Sequence, residues 1–71
     1  MAVFHKTLVR ATETRSFHIE RNASAGWRTL ALANDRVAHE QERTEWHRVE
    51  RDLERFAREI EQLRRDGWRD A

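Results

Sequence analysis

The chain has 71 residues, no cysteine and a formal net charge of +1, although 38% of its residues are charged. This length allows one domain with a small core, and the lack of cysteine excludes disulfides and thiolate metal sites. The near-neutral charge is not typical of a dedicated nucleic-acid binder, and neither a signal peptide nor an apolar run of the ~20 residues that span a membrane is visible. We therefore expect a single cytoplasmic domain over residues 1–71 with no membrane contact.

The first part of the chain alternates strand-like segments with turn signals. Between Arg15 and Arg21, for example, Phe17 and Ile19 alternate with polar residues, which is the pattern of a half-buried strand. We predict strands over 2–10, 15–21, 27–33 and 36–42, a loop over 22–26, and a two-residue hairpin turn at Asn34-Asp35.

Residues 45–66 have the periodicity of one amphipathic helix. Thr44 is the predicted N-cap, and Gly67 is the expected residue after the C-cap. Trp68 follows directly and is placed to fold back on Leu63 or Arg64. The apolar positions recur every three or four residues and form one stripe, made of Trp46, Val49, Leu53, Phe56, Ile60 and Leu63.

These segments predict an α+β fold. An antiparallel meander of three or four strands over 2–42 is followed by one long amphipathic C-terminal helix packed across one face, and 67–71 form a cap and tail. The predicted helix-facing side chains of the sheet are Phe4, Leu8, Phe17, Ile19, Leu30, Leu32 and Val37.

The length of the apolar stripe indicates a protein-interaction function. A helix of this length extends beyond a small sheet by about a turn. Ile60, Leu63 and Trp68 are therefore candidates for a dimer contact. We predict a small non-enzymatic interaction module that forms a homodimer or docks on a protein partner. A coiled coil through the apolar stripe is less favoured than packing of the stripe on the chain's own sheet, because the flanking charges do not specify a coiled-coil partner.

Nothing in the sequence predicts an enzyme, a cofactor or a metal site. The four histidines have no cysteine or convergent carboxylate beside them, and no catalytic or phosphate-binding motif is recognisable. The arginines on the back of the helix favour a solvated lattice of ion pairs over a phosphate site.

The alternative function is nucleic-acid binding through the basic strand half. Its candidate residues are Arg15, Arg21, Trp27, Arg28 and Arg36. Trp27 has two interpretations: it stacks on a base as an exposed residue, or it closes the edge of the core next to Gly26.

The order of elements resembles a WGR domain over about residues 15–68. The resemblance rests on the strand with Phe17-His18-Ile19, the strand from Trp27 to Ala33, the turn and strand at Arg36-Val37, and a charged helix ending in Gly67-Trp68. The resemblance implies a small sheet-plus-helix fold and, in some members, DNA contact at the Trp-Gly-Arg turn. Here Asn34-Asp35-Arg36 occupies that turn, so only the arginine is retained.

Overall fold

Residues 2–71 form one antiparallel sheet with one helix across it. This computed structural model describes residues 2–71; Met1, which belongs to the predicted domain, lies outside the described residues. The elements are β1 (Ala2–Arg10), β2 (Glu13–Arg21), β3 (Trp27–Ala33), β4 (Arg36–Arg43), α1 (Trp46–Arg65) and β5 (Arg69–Asp70). The sheet order is β4-β3-β2-β1-β5, so the predicted α+β meander followed by a C-terminal helix is confirmed.

Two tight hairpins join the strands at one end of the sheet. Asn34 and Asp35 have φ angles of 52° and 66°, which is the left-handed pair that a two-residue hairpin turn needs, as predicted. Ala11 also has a positive φ, of 54°, in the turn between β1 and β2. Because alanine rarely adopts this conformation, the sequence has no signal for that turn. Strand β2 consequently starts at Glu13, two residues before the predicted Arg15.

The predicted N-cap is wrong, and the predicted C-terminal cap is confirmed. Glu45, with extended backbone and no side-chain cap bond, precedes the first helical residue, so Thr44 lies one residue too early to cap α1. At the other end Gly67 has a φ of 93°. Its amide bonds the Arg64 carbonyl at 3.2 Å, and the Trp68 amide bonds the Leu63 carbonyl at 2.9 Å. These two bonds form a Schellman motif.

The core lies between α1 and one face of the sheet. Its buried apolar residues are Leu8, Phe17, Ile19, Val49, Phe56, Ile60 and Trp68. On β3 the helix-facing residues are Trp27, Thr29 and Ala31, so the predicted inward positions of Leu30, Leu32 and Val37 are wrong. A strand presents alternate residues to one face, and the large indole of Trp27 determines which set faces the helix. Val37 is 57% exposed on the opposite face.

The C-terminal tail covers the end of the helix that was predicted to project beyond the sheet. After Gly67 the chain turns back, and β5 pairs with β1 through Leu8–Asp70 and Val9–Arg69. Of the predicted dimer contacts, Ile60 and Trp68 are only 6% and 5% exposed, and Leu63 packs half-buried against the same cluster. The apolar end of the helix is therefore satisfied within the chain, because a fifth strand extends the sheet beneath it.

Candidate interface on the uncovered face of the sheet

The sheet has a second face, which we call the outer face, on the side away from α1. The register of the strands places two rows of side chains at its centre. One row contains Thr7, Ser16, Leu32 and Val37, and the next contains His5, His18, Leu30 and Glu40. Val3, which is 41% exposed, lies near the end of β1. Aliphatic and uncharged polar groups therefore dominate the middle of this face.

A stacked pair of histidines lies at the centre of the outer face. The rings of His5 and His18, which are cross-strand partners, lie 4.3 Å apart between centroids at an angle of 20°. The Thr7 hydroxyl lies 3.3 Å from His5 Nε2 and 3.2 Å from the Ser16 hydroxyl. The pair is thus held in place by its neighbours along β1 and across to β2.

The environment of His18 disfavours its protonated form. Partial burial and then the proximity of His5 lower the pKa of His18, and the nearby carboxylate of Glu20 opposes them more weakly. Protonating His18 would place charge in a half-buried position beside another imidazole. His18 is therefore uncharged at neutral pH.

Charged residues of the outer face are concentrated at one end, where Arg28 lies among three carboxylates, those of Glu20, Glu40 and Glu42. Arg28 lies 2.7 Å from Glu20 and 3.3 Å from Glu40. The hydrogen bond that Arg28 donates to Glu20 is the main reason that the pKa of Arg28 is raised. The guanidinium of Arg28 thus forms ion pairs with two carboxylates of its own chain.

The residues predicted to bind nucleic acid do not form one surface. Arg15 and Arg21 lie on the helix side of the sheet, over the rings of Trp68 and Trp27 at 6.0 and 5.5 Å. Arg28 lies on the outer face. Arg36, also predicted, is exposed at the start of β4, beside the hairpin turn, and its register with Ala33 places it on the same side of the sheet as Arg15.

Trp27 closes the edge of the core, which is the second of its two predicted interpretations. Its ring packs at 5.3 Å from that of Trp46, at the start of α1. No bulge is needed, because Trp27 shares the inward parity of β3 with Thr29. Gly26 leaves room for the chain here, since a Cβ at this position would lie 2.6 Å from the Arg43 carbonyl oxygen.

A buried carboxylate links the helix to the edge of the sheet, and the sequence did not predict it. Asp52 is 1% exposed and accepts two bonds from Arg43, at 2.9 and 3.1 Å, while Arg55 lies 3.1 Å away. Burial raises the pKa of Asp52, but the bonds and charges of the two arginines outweigh burial and hold it below its ordinary value. The Thr29 hydroxyl lies close enough to lower this pKa slightly, but not in the geometry of a full hydrogen bond.

A shallow groove of about 340 Å³ runs between β1 and α1 on the helix side of the sheet. Phe4, Ala57 and Ile60 form its apolar surface, and Lys6, Glu61 and Arg64 border it. Asp70 of β5 accepts bonds from Lys6 at 2.7 Å and from Arg64 at 3.1 Å, and these bonds lower its pKa. The cations beside the groove are thus paired with carboxylates of the same chain.

Within residues 2–71, no group of three or more histidine, aspartate or glutamate side chains is placed to hold a metal ion. No helix in this part of the chain combines the length and apolar character needed to cross a bilayer. Compared with known proteins, the chain matches no protein-family profile, no curated sequence and no solved structure. The resemblance to a WGR domain stays a prediction.

Proposed function

We propose that this protein is a non-enzymatic interaction module that self-associates through the outer face of its sheet. The observation that carries the proposal is the outer face itself: Leu30, Leu32 and Val37 lie beside one another on a face that α1 does not cover. Sheets that present one face to water normally carry polar side chains on that face. Here three aliphatic residues occupy neighbouring positions of two adjacent strands.

The charge of the outer face favours a second copy over an oppositely charged partner. The charged residues lie at one end of the face, around Arg28, so the neighbouring positions of Leu30, Leu32 and Val37 present no charge of their own to select an oppositely charged partner. A neutral aliphatic patch is compatible with itself, and a two-fold dimer needs only one such patch on each chain. A domain of this size also gains stability from association, because its own core is small.

The size of the face indicates a weak dimer. Four strands of seven to nine residues give roughly 500 Å² in projection, from ~3.3 Å per residue and ~4.8 Å between strands. Side-chain relief adds to this area, which then approaches the ~800 Å² that each partner buries in a standard interface. We expect a dissociation constant on the order of micromolar.

The test is the double variant Leu32→Glu with Val37→Glu. These cross-strand neighbours lie on the outer face, and Val37 is largely exposed, so two carboxylates there should repel a second copy without removing a core residue. We expect the wild-type chain to show a monomer–dimer equilibrium in sedimentation velocity at tens to hundreds of micromolar. The double variant should remain monomeric over the same range.

The matched control is Ala23→Glu with Ser24→Glu, which adds the same charge in the exposed loop between β2 and β3. This control should dimerise as the wild type does. A wild-type chain that stays monomeric at several hundred micromolar would overturn the proposal, as would a double variant that associates to the same extent as the wild type.

A further inference from the structure

The outer face differs in charge between its two ends. At the end away from the hairpin turns, Arg28 is surrounded by the three carboxylates of Glu20, Glu40 and Glu42. Three carboxylates and one guanidinium leave this end with two negative charges in excess. At the hairpin end, the cross-strand partners Val9 and Thr14 are uncharged. Within the described strands, the outer face is therefore acidic at one end only.

This difference in charge selects how two copies of the chain can pack face to face. Both possible two-fold axes keep the strands of the two sheets roughly aligned, as in a β-sandwich. An axis parallel to the strands would bring the two acidic ends together, which like charges oppose. An axis across the strands reverses the second copy, so that the acidic end of each copy lies over the Val9–Thr14 end of the other. Charge repulsion therefore favours the reversed arrangement.

In the reversed arrangement the stacked imidazoles of His5 and His18 meet no carboxylate of the second copy. The axis passes through the aliphatic patch, between the row that contains the two histidines and the row of Thr7, Ser16 and Leu32. Each of these rows then faces the other row of the second copy. The imidazoles lie against hydroxyl and aliphatic groups, which do not compensate a positive charge that is removed from water.

Within one chain, the surroundings of His18 already disfavour its charged form. The titratable and charged groups on its side of the sheet are His5 on β1, Glu20 on β2, Arg28 on β3 and, one strand further away, Glu40 on β4. Partial burial and then His5 lower the pKa of His18 from 6.5, and Glu20 opposes them more weakly. A second copy over this face removes more water from the ring and so strengthens the effect of burial.

We infer, on the basis of the self-association proposed above, that the stacked histidines make the dimer dependent on pH: it forms while the imidazoles are neutral and dissociates when they take up protons. Association is at full strength above pH 6.5 and is lost as the pH falls through the pKa of His18 in the free chain, which lies below 6.5. Each dimer contains two copies of the pair, so the uptake of at least two protons accompanies dissociation.

The test is sedimentation velocity of the wild-type chain at a series of concentrations at pH 7.5 and at pH 5.0. We expect the dissociation constant to be at least about tenfold larger at pH 5.0, because two protons per dimer are excluded from the interface. The range ends above the pH at which carboxyl groups ordinarily titrate. Near-ultraviolet circular dichroism of the tryptophans at both pH values separates dissociation from unfolding.

A pair of double variants assigns the pH dependence to the outer face. His5→Gln with His18→Gln replaces both stacked rings by uncharged side chains, and its dissociation constant should change less than about twofold between the two pH values. The matched control is His39→Gln with His47→Gln, which also removes two imidazoles. His39 lies on the helix side of the sheet and His47 is exposed on α1, so the control should retain the pH dependence of the wild type.

Nuclear magnetic resonance gives an independent measurement on the wild-type chain. The ring-proton signal of His18 is followed through a pH titration in a dilute sample, which is monomeric, and in a concentrated sample, which contains the dimer. We expect the midpoint to lie at a lower pH in the concentrated sample, because the dimer binds the proton less tightly than the free chain does. A ring that only fills space would titrate with the same midpoint in both samples.

The possible results separate this inference from the proposed self-association. A wild-type chain that stays monomeric at several hundred micromolar and pH 7.5 would overturn both. A dimer whose dissociation constant is the same at pH 7.5 and 5.0 would overturn the pH dependence alone. A dimer that becomes tighter at pH 5.0 would also overturn it, since the imidazoles of one copy would then meet carboxylates of the other.

Discussion

The carboxylate of Asp52 is buried between α1 and the sheet, and the ion pair with Arg43 compensates for the loss of solvation there. The guanidinium of Arg43 donates one hydrogen bond to each carboxylate oxygen, and Arg55, which is on α1 like Asp52, lies close to one of them. Arg43 is 19% exposed and Arg55 is 39% exposed, so the more buried arginine is also the one with two bonds. The charge of Asp52 is therefore balanced mainly by Arg43 of β4.

The variant Arg43→Met should destabilise the protein by about 2–4 kcal/mol, because it leaves a buried carboxylate with one partly exposed partner. Equilibrium urea unfolding at neutral pH measures this change. Adding Asp52→Leu to Arg43→Met should restore most of the lost stability, since no unpaired charge then remains. If the double variant were as unstable as the single one, packing and not charge would explain the role of Arg43.

At the scale of elements, the tail after α1 acts as part of the core. The Schellman motif at Gly67 reverses the chain, Trp68 enters the cluster around Leu8, and β5 then pairs with β1. Arg10 lies 5.0 Å from the centre of the Trp68 ring, and its Nη1 donates to the Asp66 carbonyl at 3.0 Å. The end of the helix, the tail and β1 therefore hold one another in place.

Trp68→Ala should destabilise the protein by about 3–4 kcal/mol, because it leaves a large cavity in the core. Trp46→Ala is the matched control: its side chain is 44% exposed, so a much smaller loss is expected. Thermal and urea unfolding measure both variants. Equal losses for the two tryptophans would contradict the assignment of the tail to the core.

The sequence predicted the elements of this fold well and their orientation less well. The alternation around Phe17 and Ile19 and the stripe through Phe56 and Ile60 determine the strand and helix faces, and the structure confirms both. The predicted orientation of strand β3 was wrong because Leu30 and Leu32 are as apolar as Trp27 and Ala31. Only packing against α1 decides between two sets of alternate residues when both are apolar.

The candidate interface was harder to predict for the same reason. Once Trp27 faces the helix, Leu30 and Leu32 fall on the outer face, so the error in parity concealed the candidate interface. The burial of Asp52 depends on Arg43, which is nine residues away in another element. The pairing of β5 with the edge of β1 could not be predicted either, because a two-residue strand has no recognisable pattern in the sequence.

At the scale of the whole molecule, stability should fall as the pH decreases from 7.5 to 5.5. The pKa of His18 is lower in the folded chain than its ordinary value of 6.5, so the unfolded chain takes up the proton first. Stability is then full above pH 6.5 and is lost as the pH falls from there towards the lower pKa of the folded state. A further loss is expected below pH 3.8, because the pKa of Asp52 is also depressed.

Urea unfolding as a function of pH measures this effect, and His18→Gln should flatten the profile between pH 7.5 and 5.5. His47→Gln changes an exposed histidine outside the stacked pair and should leave the profile as it is in the wild type. A wild-type stability that is constant over this range would show that His18 titrates alike in both states.

The unequal edges of the sheet limit the size of any assembly that grows by strand pairing. A fibre needs two complementary ends, so that each added chain offers a fresh edge to the next. Here β4 is charged and bulged, and β1 is partly covered by β5. We therefore expect that a strand added at β1 would not be followed by growth at β4, because the charges and the bulge of β4 disfavour pairing there.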